Sequence, residues 1–561
     1  MRKLNPSALI IIIKKILDKF LYNDNYEDID KNMSDSNVGA RKKRNIKDHL
    51  LIVHGVINSV IRGNEDCVDI QIYDLEKAFD ALWLEDCLND IFDNLSEKNR
   101  NDKISRLYES SKTNMVAVKT AVGLTERINM PSIVQQGGTW GSLLCSNSID
   151  TLGKKCRDRG ENCYLYKKTA RILPLSFVDD ILGMSKCGFS SISLNTFINT
   201  QIELKKLRFH VAKKDGKSKC HKLHIGKSHN LCPTLKVHGT IMPEVTEDTY
   251  LGDILSTDGR NTKNIKSRIS KGIGVISQLT NILEAVRFGN HYFEVALMLR
   301  ESMLVNGTIT NAEIWYNVTE SETKEFDNLD KMFLRKILEV PYTTPCESYY
   351  LELGILPIHV IIKARRINYL HSILSRDKAS MLYSFFITQW NNPTKGDWTE
   401  QVKVDLEDFS ISWTFEKIQT KSKEAFKRIV KVKAKEFALK ELQQKQETHS
   451  KMTNLLYTDL TIQPYLTRED LTIQQKKMLF KYRTRMENFG ENFRGSNGPV
   501  PCPLCGTHLD NQEMSFQCQI IKAEVQPTGE ITEIYRDDIK KTTVESLEKM
   551  LKLRGDKLKE N

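Results

Sequence analysis

The chemistry available to this chain is concentrated in three aspartates and the strands that end on them. Asp179 and Asp180 stand side by side between two short apolar runs, Ile172 to Phe177 and Ile181 to Met184. That pattern reads as a strand, a tight turn carrying two carboxylates, and a second strand. Adjacent carboxylates at a buried hairpin tip repel each other, and a divalent cation is the usual means of neutralising them. A second acidic strand end lies upstream. Val68, Ile70 and Ile72 alternate with Asp69, Gln71 and Tyr73, a half-buried strand that delivers Asp74 at its end. Between the two lies a Gly-rich loop, Val134-Gln135-Gln136-Gly137-Gly138-Thr139. A three-stranded core brings Asp74 beside Asp179, giving the oxygen-rich donor set that Mg²⁺ prefers.

The elements around these residues set the scale of the protein. At 561 residues the chain is long enough for several domains and a large core. Its 83 basic and 72 acidic residues leave a net charge of +11, which suits a polyanionic partner without requiring one. The 12 cysteines are mostly scattered singly, as in a reduced nuclear or cytoplasmic protein and unlike a disulfide framework. The apolar run Ala8 to Ile13 is cut by Lys14 and Lys15, has no small-residue cleavage site after it and is too short for a membrane span, so it reads as a buried helix. Ile46, Leu50, Val53, Ile57 and Val60 recur at helical spacing, as do Leu84, Leu88, Ile91 and Leu95. Lys205 to Lys227 reads as a polar basic stretch, and Tyr250 to Leu255 as a short strand pair. From about 262 to 390 the pattern is helical, Asn391 to Asp397 reads as a linker, and 398–490 is helical and densely charged.

Acidic strand, Gly loop with helix, then acidic hairpin is the order of polymerase motifs A, B and C. The wording of Tyr73 to Trp83, Val134 to Thr139 and Phe177 to Asp180 resembles the reverse transcriptases of non-LTR (LINE-class) retrotransposons. The resemblance runs from about residue 14 to the C-terminus. It implies an α+β right-hand polymerase with partial fingers (1–66), a palm (67–258), a helical thumb (259–390), a basic helical extension (391–490) and a zinc-knuckle-like segment (491–561). In that family Asp74 and Asp179 hold two Mg²⁺ ions and Asp180 supports them, while Asp80, six residues past Asp74, falls inside a helix and reads as structural. Implied partners are an RNA template, a DNA primer or nicked target DNA, and deoxynucleoside triphosphates. The activity implied is RNA-directed DNA synthesis, target-primed during retrotransposition.

Several positions carry two readings. Phe79 matches the aromatic that packs where a ribose 2′-hydroxyl would go, but it is also a natural core residue of the helix after Asp74. Gln136 and Gly137 fit a place under the template–nucleotide pair, glycine permitting close backbone approach. Lys219 matches the lysine that follows the acidic hairpin and could steady a triphosphate or protonate pyrophosphate, or it belongs to a solvated basic face. Tyr250-Leu251-Gly252 resembles the primer-grip hairpin, and Leu334 to Leu338 with Leu351 to Ile358 resembles the thumb. Lys431, Lys433, Lys435, Lys476, Lys477, Arg483 and Arg485 are candidates for phosphate contact, or pair with Glu436 and Glu441 on their own helices. Cys502, Cys505 and Cys518 form a zinc-type set in which Met514 occupies the family's histidine position and His508 is the substitute, or they are three buried thiols.

Two departures qualify the resemblance. Val178 stands where the class more often has alanine, and the chain starts at about the second fingers motif, Ser34 to Arg41, so an N-terminally truncated copy is expected. A catalytically inactive nucleic-acid-binding remnant is the alternative to an active polymerase. A metal nuclease on the same carboxylates leaves the Gly loop and the thumb unexplained.

Overall fold

The computed structural model describes residues 12–92, 95, 100–112, 115–117, 119–126, 128–129, 134, 139–211, 218–227, 232–286, 289, 291–447, 452, 455–492 and 499–560. The chain divides into two compact units. The first comprises 1–261, 314–317 and 373–401, and the second 262–313, 318–372 and 402–561. This differs from the five consecutive segments expected from sequence. The helical stretch after residue 259 is shared between the units, and neither the basic extension nor the cysteine-bearing segment forms a unit of its own.

The first unit is built on a four-stranded antiparallel sheet. Its strands are β1 (Cys67–Asp74), β2 (Leu175–Phe177), β3 (Asp180–Ser185) and β4 (His221–Gly226), in the order β4-β1-β3-β2. β1 is central and its first seven residues are buried, so the alternation read as a half-buried strand is a strand covered on both faces. Toward its Asp74 end, the polar face is satisfied internally through Gln71 and Tyr73. Gln71 Nε2 donates to the Ser191 carbonyl and hydroxyl at 3.0 Å, Tyr73 donates to Gln71 at 2.6 Å, and Asn195 donates to Tyr73 at 2.9 Å. Ser191 and Asn195 belong to the helix Phe189–Leu204. Gly183 of β3 lets that helix approach closely, since a Cβ there would lie 2.9 Å from Leu194.

β4 falls in the stretch expected to be a polar loop. Its burial rests on compensated polar side chains: Lys222 is held by Glu244 at 2.9 Å and by the Pro233 carbonyl at 2.9 Å. The far edge of the sheet is covered as well. Ser176 of β2 donates to the Ser36 carbonyl at 2.9 Å, and Val38 N–H donates to the Ser176 carbonyl at 3.2 Å. Hairpin β5–β6 (Glu247–Tyr250, Asp253–Ser256) turns through Leu251 and Gly252, both at positive φ (47° and 82°), as a two-residue hairpin requires.

The segment expected to be a linker, Asn391 to Asp397, is folded into this unit. Asp397 is fully buried and accepts from Asn58 at 2.8 Å and from Thr394 N–H at 2.6 Å. Its Asn, Pro and Gly residues form a turn closed by a buried carboxylate.

The second unit is helical. Helix Glu320–Leu338, opened by a Thr319–Glu322 capping box, packs on Thr262–Ala285 through Gly272, where a Cβ would lie 2.4 Å from Leu329. Helix Lys423–Glu447 buries Phe426, Val430, Ala434, Ala438 and Leu442, a stripe at fourfold spacing. Two arginines are buried here against carboxylates: Arg300 grips Asp330 at 2.6 and 2.7 Å, and Arg483 grips Glu352 at 3.0 and 3.2 Å. Among the described residues, no helix is long and apolar enough to cross a membrane. Cys67 and Cys187 are disulfide-bonded, and the other ten cysteines are free.

Candidate active site

The sheet register sets the site. β1 and β3 run antiparallel with Asp74 directly opposite Asp180, and β2 pairs Phe177 with Asp180. Val178 and Asp179 are therefore the two residues of the turn, and Asp74, Asp179 and Asp180 meet at one end of the sheet. Val178 has φ 57°, a left-handed conformation that a β-branched residue adopts only at a cost of about 1–3 kcal/mol. Its surroundings hold it there. Gly39 lies so close that a Cβ would come 2.6 Å from Val178 N and 2.6 Å from Ser146 Oγ. Gly39→Ala is therefore expected to displace the aspartate turn, lowering any metal-dependent activity by at least about tenfold for a turn shift worth about 1.4 kcal/mol. Steady-state rates against far-ultraviolet circular dichroism check this; an active Gly39→Ala protein would show that the turn tolerates the shift.

The electrostatics follow from crowding. Burial raises the Asp180 carboxyl to about 6, with the charges of Asp179 and Asp74 adding to the rise and Lys219 opposing it. Asp179 is raised by burial and by Asp74. Lys219 Nζ donates to Asp74 Oδ2 at 3.2 Å while most of its side chain stays exposed. Its backbone is tied to the same strand end: Lys219 N–H donates to the His210 carbonyl at 3.1 Å, and His210 N–H to the Asp74 carbonyl at 2.8 Å.

One lysine thus faces three carboxylates made of hard oxygen donors, a set that fits Mg²⁺. The three are not among the described groups whose ligand atoms all lie within 4.8 Å of one another. Mg²⁺ keeps several waters and takes substrate oxygens as further ligands, so one or two of these carboxylates suffice to hold it. Because the folded carboxyl of Asp180 titrates above its ordinary 3.8, it destabilises the fold as pH rises from 3.8 to about 6 and fully above that. In EDTA at neutral pH, Asp180→Asn should raise stability by about 1 kcal/mol after screening of these half-buried charges, and the gain should vanish in acid. Thermal melts across pH measure it; a pH-independent difference would assign the effect to packing.

A residue that sequence reading passed over sits behind the turn. His49, fully buried in helix Ile46–Ile61, has Nε2 3.0 Å from the Ser36 carbonyl and Nδ1 3.2 Å from the Tyr250 hydroxyl. A carbonyl only accepts, so Nε2 carries the proton and Nδ1 accepts from Tyr250. Burial lowers this imidazole to about 3, keeping it neutral. It joins hairpin β5–β6 to the segment that edges β2. The available signal was a polar residue inside the apolar periodicity of Ile46 to Val60.

Phe79 lies in the four-residue helix Ala78–Ala81, half-buried and packed against the core that contains Tyr73, Leu75 and Phe209. Asp80 is exposed on the same short helix. Gln136 and Gly137 lie outside the described residues, between buried Val134 and the helix Gly141–Ile149.

In the second unit the three thiols of Cys502, Cys505 and Cys518 converge, all within 4.8 Å of one another. Burial pushes the Cys505 thiol up, but hydrogen bonds from the Thr507 hydroxyl, the Thr507 and His508 N–H groups and Cys518 outweigh it and hold the thiol near 6. The His508 ring is not part of this group; its carbonyl accepts from Cys502 N–H at 2.6 Å. Most of the basic candidates for phosphate contact are engaged within the protein. Lys433 pairs with Glu436, Lys477 with Glu339, Arg483 with Glu352 and Arg485 with Glu513. Lys435 donates to the Leu460 carbonyl, Lys476 is buried, and Lys431 is exposed.

No protein-family model and no curated protein matches the chain. Among solved structures it is similar to telomerase from Candida albicans in complex with the TWJ fragment of telomeric RNA, at 14% identity over 70% of this chain and 58% of that one, with a TM-score of 0.31. It is also similar to apo telomerase from Candida tropicalis, at 12% identity over 75% of this chain and 59% of that one, with a TM-score of 0.31. For the RNA-bound Candida tropicalis telomerase the values are 13%, 74%, 56% and 0.32. The chain spans less than two thirds of each of these proteins.

Proposed function

We propose that this chain is an RNA-directed DNA polymerase of the non-LTR retrotransposon kind, built as a palm with fingers and a helical thumb. The observation that carries the reading is the register of Asp74 opposite Asp180 with Asp179 in the intervening turn, because the motif order read from sequence demands that juxtaposition. Asp74 and Asp179 would hold two Mg²⁺ ions, with Asp180 behind them. When bound, such ions activate a primer 3′-hydroxyl toward the α-phosphate and stabilise the charge on departing pyrophosphate. Lys219, exposed beside Asp74, would meet the triphosphate and return a proton to the leaving pyrophosphate, a role its contact with Asp74 supports. Phe79 would exclude the ribose 2′-hydroxyl by shape, and Gln136 with Gly137 would underlie the templating pair. RNA template, DNA primer or nicked target, and deoxynucleoside triphosphates are the partners. In the second unit, Cys502, Cys505 and Cys518 would hold Zn²⁺ with a fourth ligand, for which His508 must first turn its ring inward.

Primer extension on an RNA template with Mg²⁺ tests the reading. Extension with deoxynucleotides is the expected result, and Phe79→Ala should raise ribonucleotide use relative to deoxynucleotide by about 10–100-fold, the worth of one steric contact in a pocket. An unchanged sugar preference would return Phe79 to the core. No extension by the wild-type chain, with hybrid binding intact, would establish the inactive remnant instead.

A further inference from the structure

A second cluster of ligating groups lies at the other end of β1, and the polymerase reading makes no use of it. Asp69 is paired in register with His224 on β4 and Ser185 on β3, and Cys187 follows β3 by two residues. Cys187 Sγ lies 3.7 Å from Asp69 Oδ1 and 3.7 Å from His224 Nδ1, and the last two are 2.8 Å apart. Asp69 is fully buried, and its second oxygen, Oδ2, has no hydrogen-bond partner. A buried carboxylate oxygen without a partner is costly, and it points to a ligand that completes it. The nearby cation, Lys222, is already compensated by Glu244.

We propose that, once the Cys67–Cys187 disulfide is reduced, this cluster binds one Zn²⁺ through Cys187, His224, Asp69 and Cys67. Cys67 and Asp69 are two positions apart on β1 and so share a face of the strand. One oxygen, one imidazole and two thiolates form a borderline-soft set of the kind zinc takes. Tetrahedral bonds of about 2.0–2.3 Å place ligand atoms roughly 3.3–3.7 Å apart. Cys187 already stands at that spacing from Asp69 and His224, the Asp69–His224 pair must open by about 0.5 Å, and Cys67, outside the group that lies within 4.8 Å, must swing toward it once the disulfide is cut. A cleft of about 820 Å³ lined by Cys67, Cys187, Lys167 and Lys186 gives reductant and ion access. The redox step balances: two thiols of a reductant pass two electrons and two protons to the disulfide, the Cys67–Cys187 bond breaks, and the reductant leaves as its own disulfide. The two new thiols release their protons to solvent as the ion binds. The ion would clip β1, β4 and the end of β3 together, about 17 Å along β1 from Asp74.

The test uses the full-length chain with Cys502, Cys505 and Cys518 each changed to serine, so that among the described residues this is the one remaining cluster of three close ligating side chains. A trialkylphosphine in water reduces the disulfide, itself becoming the phosphine oxide, and Co²⁺ is the probe. One equivalent of Co²⁺ with thiolate charge-transfer absorption is expected after reduction and none before it. Asp69→Asn should lose that equivalent while its circular dichroism is unchanged. Should Asp69→Asn fail to fold, the reduced and oxidised forms of the parent chain decide the matter alone. Reduced protein with two more titratable thiols than the oxidised form and no bound Co²⁺ overturns the proposal, as does full binding by folded Asp69→Asn. Neither result bears on whether the chain extends primers.

Discussion

Replacing Asp179 with asparagine is expected to lower primer extension by at least about 10³-fold, because the amide keeps the shape of the carboxylate and removes the charge that a metal ion needs. The prediction is specific to position. Asp179 occupies the turn, where the charge of Asp74 acts on its carboxyl, whereas Asp180 begins β3 and is more strongly raised by burial and by both neighbours. Asp74→Asn should match Asp179→Asn, and Asp180→Asn should lose less, since its carboxylate serves chiefly as a charged neighbour. Lys219→Ala separates the lysine's two readings. A proton donor to pyrophosphate would lower kcat and shift its alkaline limb, while a solvated cation would alter only the salt dependence of template binding. Single-turnover extension at saturating nucleotide measures all four variants. Equal rates for wild type and Asp179→Asn would end the polymerase reading, whatever the hybrid affinity.

Much of this site was legible in the sequence because its signals are local. A strand ending in Asp74 needs only a period of two, and an acidic hairpin needs only two apolar runs and a short turn. Hairpin β5–β6 was legible as a short strand pair over Tyr250 to Leu255, and it extends to Glu247 and Ser256. What escaped were features whose physics depends on distant partners. β4 contains His221, Lys222 and His224, which read as a basic loop until Asp248, Glu244 and Asp69 supply their counterparts. Asn391 to Asp397 has the composition of a linker, yet the carboxylate that closes it is satisfied by Asn58, 339 residues away. Composition describes a residue's own preference and not the partner that overrides it, so buried polar side chains are where a sequence misleads most.

The same reasoning governs Arg483, which the charge pattern offered to nucleic acid and the fold places inside the second unit. Arg483 and Glu352 are both buried, and the carboxylate also accepts from the Tyr457 hydroxyl at 2.6 Å. The guanidinium donates further to the Ile534 carbonyl at 2.9 Å, so both charges are met on several sides. Removing one partner leaves the other buried and uncompensated, which costs about 3–5 kcal/mol. Glu352→Ala should therefore lower the stability of this unit by about that amount, read from the denaturant midpoint at unchanged slope. Replacing both residues with apolar side chains of similar volume should restore most of the loss, because the desolvation penalty then disappears with the pair. Binding of an RNA–DNA hybrid by a folded double variant should keep the wild-type salt slope. If Arg483 instead reached a phosphate, the slope of log affinity against log salt would fall by about 0.7–0.9 in that variant while its stability stayed near wild type. The two measurements move in opposite directions under the two assignments, and the buried geometry predicts a large loss of stability for Glu352→Ala with no change in slope for the double variant.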